Sequence, residues 1–359
     1  MRLDATPIPA TTPAHDLRRV DVPTRAAYVR DVGQVEAELA ALAAAHPTAA
    51  RLVDIGDSAR KESGVAGGHD VHALVLGTRA DDPSVPRVLL TAGVHPRETA
   101  NTATLLEWAR HTLDGAAAGD PARRALLDER TIVVVPLMNP DTHGTVVEGL
   151  ERGHEPSIWR RTNHAAQGGV DLNRTFNNRW GAGSLKPGHQ NYRGPFAASE
   201  PEVRAVQSFA RSMHPAAVYD LHSPGGVVLV PAGIPDARVA AQLVSRATGY
   251  AVSASDDHWT KPVGGGTVKD WAHDQIAATS LTIETGAVHH QSDVQYADTL
   301  ARMLPALDAL VATVDGRHEP PAAARALANP VPAAPFVATE HLQGAVVSTH
   351  WPEGWKVGD

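Results

Sequence analysis

Hydrophobic and polar positions change period along this chain, and the changes divide it into elements. In "AAYVRDVGQVEAELAALAAAHP" apolar residues recur at helical spacing and a proline follows, so a helix is expected within 26–47. "ARLVDIGDSAR" and "DVHALVLGT" are short β-type runs joined by a glycine-rich turn. "RVLLTAGV" (87–94) is continuously apolar, as suits a strand buried on both faces. A helix is expected at about 99–113, then a second buried strand in "TIVVVPLMNPD" (131–141). Further on come a helix at 199–214 with acids in its first turn, and a strand at 216–223. Two more helices, in "IPDARVAAQLVSRATG" and "TVKDWAHDQI", lead to a strand at 278–286 and a closing helix at 292–314.

Strands alternating with helices predict an α/β fold with a largely parallel sheet. Between the second buried strand and the next helix lies a long stretch, 142–197, rich in Gly, Asn, Arg, His and Trp. Loops of that length without regular structure are usually functional or disordered. Residues 1–25 read as an irregular N-terminal arm and 26–315 as one folded unit. An Ala/Pro-rich extension, 316–359, carries one short β-type segment, "GAVVSTHW". There are no repeats.

Composition narrows the function classes. The 359 residues are 43% hydrophobic and 20% charged, ordinary for a globular protein. A net charge of −8 argues against a nucleic-acid or anionic-membrane binder, since both need a basic surface. The absence of cysteine excludes disulfides, thiolate catalysis and cysteine-based zinc sites. The first twenty residues have no apolar core of a signal peptide, and no stretch has the length of a membrane span. A cytoplasmic protein is the expectation, with a secreted form that has lost its leader as the alternative.

Ligand sites in open α/β sheets gather beyond the carboxyl ends of strands. His95 and Glu98 stand at the end of one predicted strand, His222 at the end of another and Glu284 at the end of a third. The His-x-x-Glu pair can place an imidazole nitrogen and a carboxylate on one ion, with His222 as third ligand. Two histidines and one glutamate leave a position open on tetrahedral zinc, as catalysis requires. Alone, the same pair is also an ordinary polar turn. In "SIWRRTNHAAQGGVDLNRTFNNRW" the Asn173-Arg174 pair can clamp an anionic substrate terminus, and Arg160 can face the charge developing on a scissile carbonyl. A solvated basic loop is the alternative. Glu284, a carboxylate closing an apolar strand, is either a structural ion-pair partner or a general base.

Taken in order, His95-x-x-Glu98, Arg160, Asn173-Arg174, His222 and Glu284 resemble the zinc metallocarboxypeptidases of the carboxypeptidase A type. "GVHPRE", "WRRT", "VDLNRTF", "YRGPFAASEPE", "DLHS" and "GGGTVKDW" support the resemblance, which covers roughly 30–315. It implies a single three-layer α/β domain with a mixed, roughly eight-stranded sheet between helices. It also implies one zinc per chain, held by His95, Glu98 and His222. Arg160 would polarise the carbonyl, Asn173 and Arg174 would hold the terminal carboxylate, and Glu284 would promote attack by water at the zinc. The implied substrate is a peptide with a free C-terminal carboxylate, from peptidoglycan or from peptide maturation. Oligomeric state is left open.

Two positions depart from the family pattern. A tyrosine usually closes over the substrate from a mobile loop; its place falls near Pro262, where Trp259 or Lys261 is the nearest substitute. The residue before Asp270, which by the resemblance lines the pocket for the terminal side chain, is Lys269. A cation there favours an acidic or otherwise anionic terminal residue, unless it reaches out to solvent. Rival readings are a zinc-dependent deacylase resembling aspartoacylases and a non-catalytic zinc-binding relative.

Overall fold

The computed structural model describes residues 23–164, 168–231, 235–254, 265–315, 340–342 and 345–348. Ten helices occur among the described residues: α1 (Val32–Ala45), α2 (Ala59–Glu62), α3 (Thr99–Ala117), α4 (Pro121–Glu129), α5 (Pro140–Arg152), α6 (Glu155–Ile158), α7 (Pro201–Met213), α8 (Pro235–Thr248), α9 (Val268–Ile276) and α10 (Asp293–Thr313). The strands are β1 (Ala50–Asp57), β2 (Asp70–Leu76), β3 (Arg87–Thr91), β4 (Thr131–Val135), β5 (Ala217–His222), β6 (Val227–Val230), β7 (Ala251–Ala254), β8 (Thr279–Glu284), β9 (Glu340–Leu342) and β10 (Ala345–Ser348). They form one sheet in the order β7-β6-β8-β5-β3-β4-β2-β1-β10-β9.

The α/β class and three layers are as predicted, and the sheet is mixed. β4, β3, β5 and β8 run parallel at its centre, while β2 and β6 pair antiparallel to the block on either side. The roughly eight strands expected are β1 to β8. The C-terminal extension adds two: β10 lies parallel along β1, with β9 antiparallel outside it.

Strand alternation decides which face each side chain meets. Val88 and Leu90 of β3, Tyr219 and Leu221 of β5, and Leu281 and Ile283 of β8 join the core built with α1, α3, α4, α8 and α10. Leu89, Val218 and their neighbours meet α7 and α9 through Phe209, Val268 and Trp271 on the opposite face. Along β5 that second face carries Val218, then Asp220, then His222, all buried. Polar groups placed there need partners, since each one left unsatisfied costs roughly 1–3 kcal/mol.

Several elements differ from the pattern reading. The stretch expected to be irregular from 142 onward begins inside α5. Its glycines read as loop and its Asn139-Pro140 start falls within the strand expected over 131–141, which ends at Val135; but Val146, Val147 and Leu150 pack on Tyr28, Val29 and Ile158, and that burial overrides the weak local preference. β6 and β7 are four residues each and escape any periodicity test. Of the expected 1–25 arm, 1–22 lie outside the described residues, as do Trp259, Lys261 and Pro262. No helix among the described residues is long and apolar enough to cross a membrane.

Candidate active site

The parallel strands end together and so deliver their last side chains to one place. β5 and β8 pair in register with His222 opposite Glu284, and β3 and β5 pair with Thr91 opposite Asp220. Beyond β3 the chain turns at Gly93, whose φ of +68° suits glycine, and a Cβ there would meet the Leu137 side chain at 2.9 Å. The turn brings in His95, and Glu98 caps the N-terminus of α3. The Glu98 carboxylate is used elsewhere than in capping: it accepts from the Ser223 backbone N–H at 3.0 Å.

His95, Glu98 and His222 are buried and converge. His95 Nδ1 lies 2.9 Å from Glu98 Oε1, His222 Nδ1 lies 3.2 Å from Glu98 Oε2, and the two Nδ1 atoms are 3.1 Å apart. Two imidazole nitrogens facing each other at that distance cannot both carry protons. A tetrahedral ion with ~2.0–2.1 Å bonds to nitrogen sets its ligands about 3.3 Å apart, so the three separations match a shared zinc. The donor set of two imidazoles and a carboxylate fits the same ion. Among the described residues no other group of three such side chains meets this closely.

The Nε2 atoms face outward to carboxylates. His222 Nε2 is 2.7 Å from Asp220 Oδ2, and His95 Nε2 is 3.2 Å from Asp171 Oδ1. Burial alone would raise the Glu98 carboxyl, but His95 and His222 beside it hold it well below the ordinary carboxylate range. For Asp171 burial is likewise outweighed, by Arg161 and His95. Glu284 goes the other way: burial pushes it up to about 7, with His222 opposing and Glu98 reinforcing. Gly225 lies against it, and a Cβ there would meet Glu284 Cβ at 2.7 Å.

The arginines divide differently from the sequence reading. Arg160 donates to the Asn163 carbonyl at 3.1 Å, and its nearest influential charge is Arg60. Its neighbour Arg161 donates to Asp171 Oδ2 at 2.8 Å and feels Glu98 and Glu284. Of these two neighbours, the one brought to the centre is therefore Arg161. Successive side chains diverge along this irregular segment, and the second of the pair is the one turned inward.

Asn173 and Arg174 do reach the centre. Asn173 Oδ1 accepts from the Val268 N–H at 3.0 Å, which leaves its Nδ2 toward His222 at 3.3 Å. Arg174 is buried enough to feel Asp171, Asp270 and Glu284. Lys269, in the first turn of α9, is buried and paired to Asp270. It does not reach out to solvent.

Three neighbours of the cluster were not singled out from sequence: Asp171, Asp220 and Arg161. A signal existed for one. In "DLH" on a strand, the first and third residues share a face, which puts Asp220 beneath His222.

Residues 35–299 match the zinc carboxypeptidase family. The chain belongs to that family. It is 29% identical to mouse (Mus musculus) carboxypeptidase A2 over 272 residues, which covers 70% of this chain and 61% of the relative. The chain spans about 60% of the length of the curated relatives it matches. Among solved structures, carboxypeptidase A from Helicoverpa armigera superposes with a TM-score of 0.65 at 21% identity, over 80% of this chain and 74% of that one. A metallo-carboxypeptidase from Burkholderia cenocepacia gives 0.54 at 21% identity, over 78% and 69%. At those identities the likeness bears on the fold, and the fold is the same.

Proposed function

We propose that this zinc carboxypeptidase family member removes a C-terminal residue from peptides. The observation that carries the reading is the strand register. It sets Glu284, a carboxylate whose affinity for protons is raised, directly beside the His95–Glu98–His222 cluster. These three would hold zinc, which when bound polarises a scissile carbonyl and acidifies water.

The remaining roles fall to the chain's own groups. Glu284 accepts a proton from the attacking water and passes it to the leaving amine, a task for a base with a pKa near neutrality. Asn173 and Arg174 bind the substrate's terminal carboxylate; the Val268 N–H fixes which way the Asn173 amide points. Arg161, anchored by Asp171, stabilises the oxyanion, a role the family pattern gives to Arg160. Lys269 sets a preference for an acidic terminal residue, sharing its charge between Asp270 and the substrate.

The test is metal analysis together with a panel of peptides differing in their last residue. Wild type and Glu284→Gln each take up one zinc, and the variant loses about 10²–10⁴-fold in kcat. Peptides ending in Glu or Asp are cleaved faster than those ending in Leu, and Lys269→Met removes the difference. Equal rates for all termini would reject the Lys269 role alone. Hydrolysis of an N-acyl-aspartate in place of peptides would favour the deacylase reading, and a folded wild type without zinc would end both.

A further inference from the structure

The two histidines of the cluster are not held alike. Asp171, behind His95, is shared: Arg161 donates to one oxygen at 2.8 Å, and the Asn173 N–H donates to the other at 3.0 Å, where His95 Nε2 stands at 3.2 Å. Asp220, behind His222, is fully buried and closer to its imidazole, at 2.7 Å. Its other oxygen accepts from the Thr91 hydroxyl at 2.7 Å. Thr91 is also fully buried and is opposite Asp220 in the β3–β5 register, so the strands themselves fix this contact. One carboxylate is thus largely neutralised by a guanidinium, and the other is steadied by a neutral hydroxyl.

With a metal on Nδ1, a neutral imidazole carries its proton on Nε2, where Asp220 Oδ2 stands as acceptor at 2.7 Å and the Asn173 amide nitrogen, which would need a lone pair there, lies farther off at 3.3 Å. The Nδ1 lone pair then faces Glu98 and His95. A carboxylate behind a ligating imidazole fixes its tautomer and orientation and raises its basicity. We propose that Asp220, held by Thr91, is a positioning residue that locks His222 as an Nδ1 donor and makes it the stronger of the two histidine ligands. This rests on the zinc reading above.

The experiment measures zinc affinity by competition with a chromophoric chelator, in wild type, Asp220→Asn, Asp220→Ala, Thr91→Val and Asp171→Asn. Cobalt spectra and the His222 Nε2–H NMR signal of the metal-loaded proteins accompany it. Affinity falls about 10–100-fold in Asp220→Asn, the usual cost of losing such a partner. Thr91→Val falls less in the same direction, and Asp171→Asn falls less than Asp220→Asn. The cobalt bands shift in both Asp220 variants, because the donor strength of His222 enters the ligand field. The Nε2–H signal persists in Asp220→Asn, whose amide oxygen still accepts, and is lost to exchange in Asp220→Ala. Should Asp220→Ala fail to fold, the near-isosteric Asn and Val variants decide. Attachment of metal through His222 Nε2, or Asp220→Asn and Thr91→Val affinities within twofold of wild type, would overturn the assignment. A wild type that binds zinc alongside an unaffected Asp220→Asn refutes this inference and leaves the peptidase reading standing; a wild type that binds none refutes both.

Discussion

At the scale of residues, the adjacent arginines give the sharpest test. Arg161 is the one anchored to Asp171 and within reach of the charges at the centre. Arg160 faces a backbone carbonyl and Arg60. Losing an oxyanion donor typically costs about 10²–10³ in kcat. Arg161→Ala is expected to show that loss, and Arg160→Ala to stay within several-fold of wild type. Arg161→Ala also strips Asp171 of its cation, so its stability is expected to fall by about 3–5 kcal/mol in urea titrations. Arg161→Lys keeps the charge and separates the two effects. The reverse order of kcat values would return the role to Arg160. The sequence pattern places an arginine at this site and cannot say which of two neighbours turns inward, because that direction belongs to a loop packed by residues far away in the chain.

At the scale of elements, the start of α7 pins that loop. Asn163 Nδ2 donates to Glu200 Oε2 at 2.7 Å and to Glu202 Oε2 at 3.2 Å, and its Oδ1 accepts from the Val170 N–H at 3.0 Å. Glu202 also accepts from the Ala59 N–H at 2.9 Å. Burial pushes Glu202 up to about 8. Its folded pKa thus lies above its unfolded one, so the unfolded chain releases the proton first as pH rises. Stability from this group is complete below the unfolded pKa and is lost as pH climbs through about 8. Glu202→Gln, which cannot ionise, is expected to gain on wild type between about pH 5 and about pH 8, by on the order of a few kcal/mol at the upper end. Urea titrations of both proteins across that window read the difference, and parallel curves would show that Glu202 ionises freely in the fold. The helix itself was legible from its acids and its apolar spacing. The burial of those acids was not, since residues at a helix start ordinarily face water.

At the scale of the whole molecule, the sheet runs past the eight strands of the predicted unit. β10 covers the outer edge of β1, pairing Leu52 with Val347 and Val53 with Ser348 in register. An uncovered edge presents unpaired N–H and C=O groups to other chains. Removing residues 316–359 is expected to leave the centre folded and zinc-competent, to lower Tm by several degrees and to promote self-association. Calorimetry and light scattering follow the two effects; an unchanged Tm with no association would show that β1 needs no cover.

The sequence by itself determined the α/β class, most of the long helices, the central strands and the residue types of the His–Glu–His cluster. Those features are local: an apolar run, a helical spacing, or a ligand pair three residues apart at a strand end. Only the tertiary structure decided that His222 lies beside Glu284, that Asp220 backs His222 while Asp171 backs His95, and that Arg161 is the inward arginine. Each of these depends on strand register or on loop packing between residues distant in the chain. Strand register is set by how whole faces of the sheet bury against helices, and no short window of sequence contains that balance.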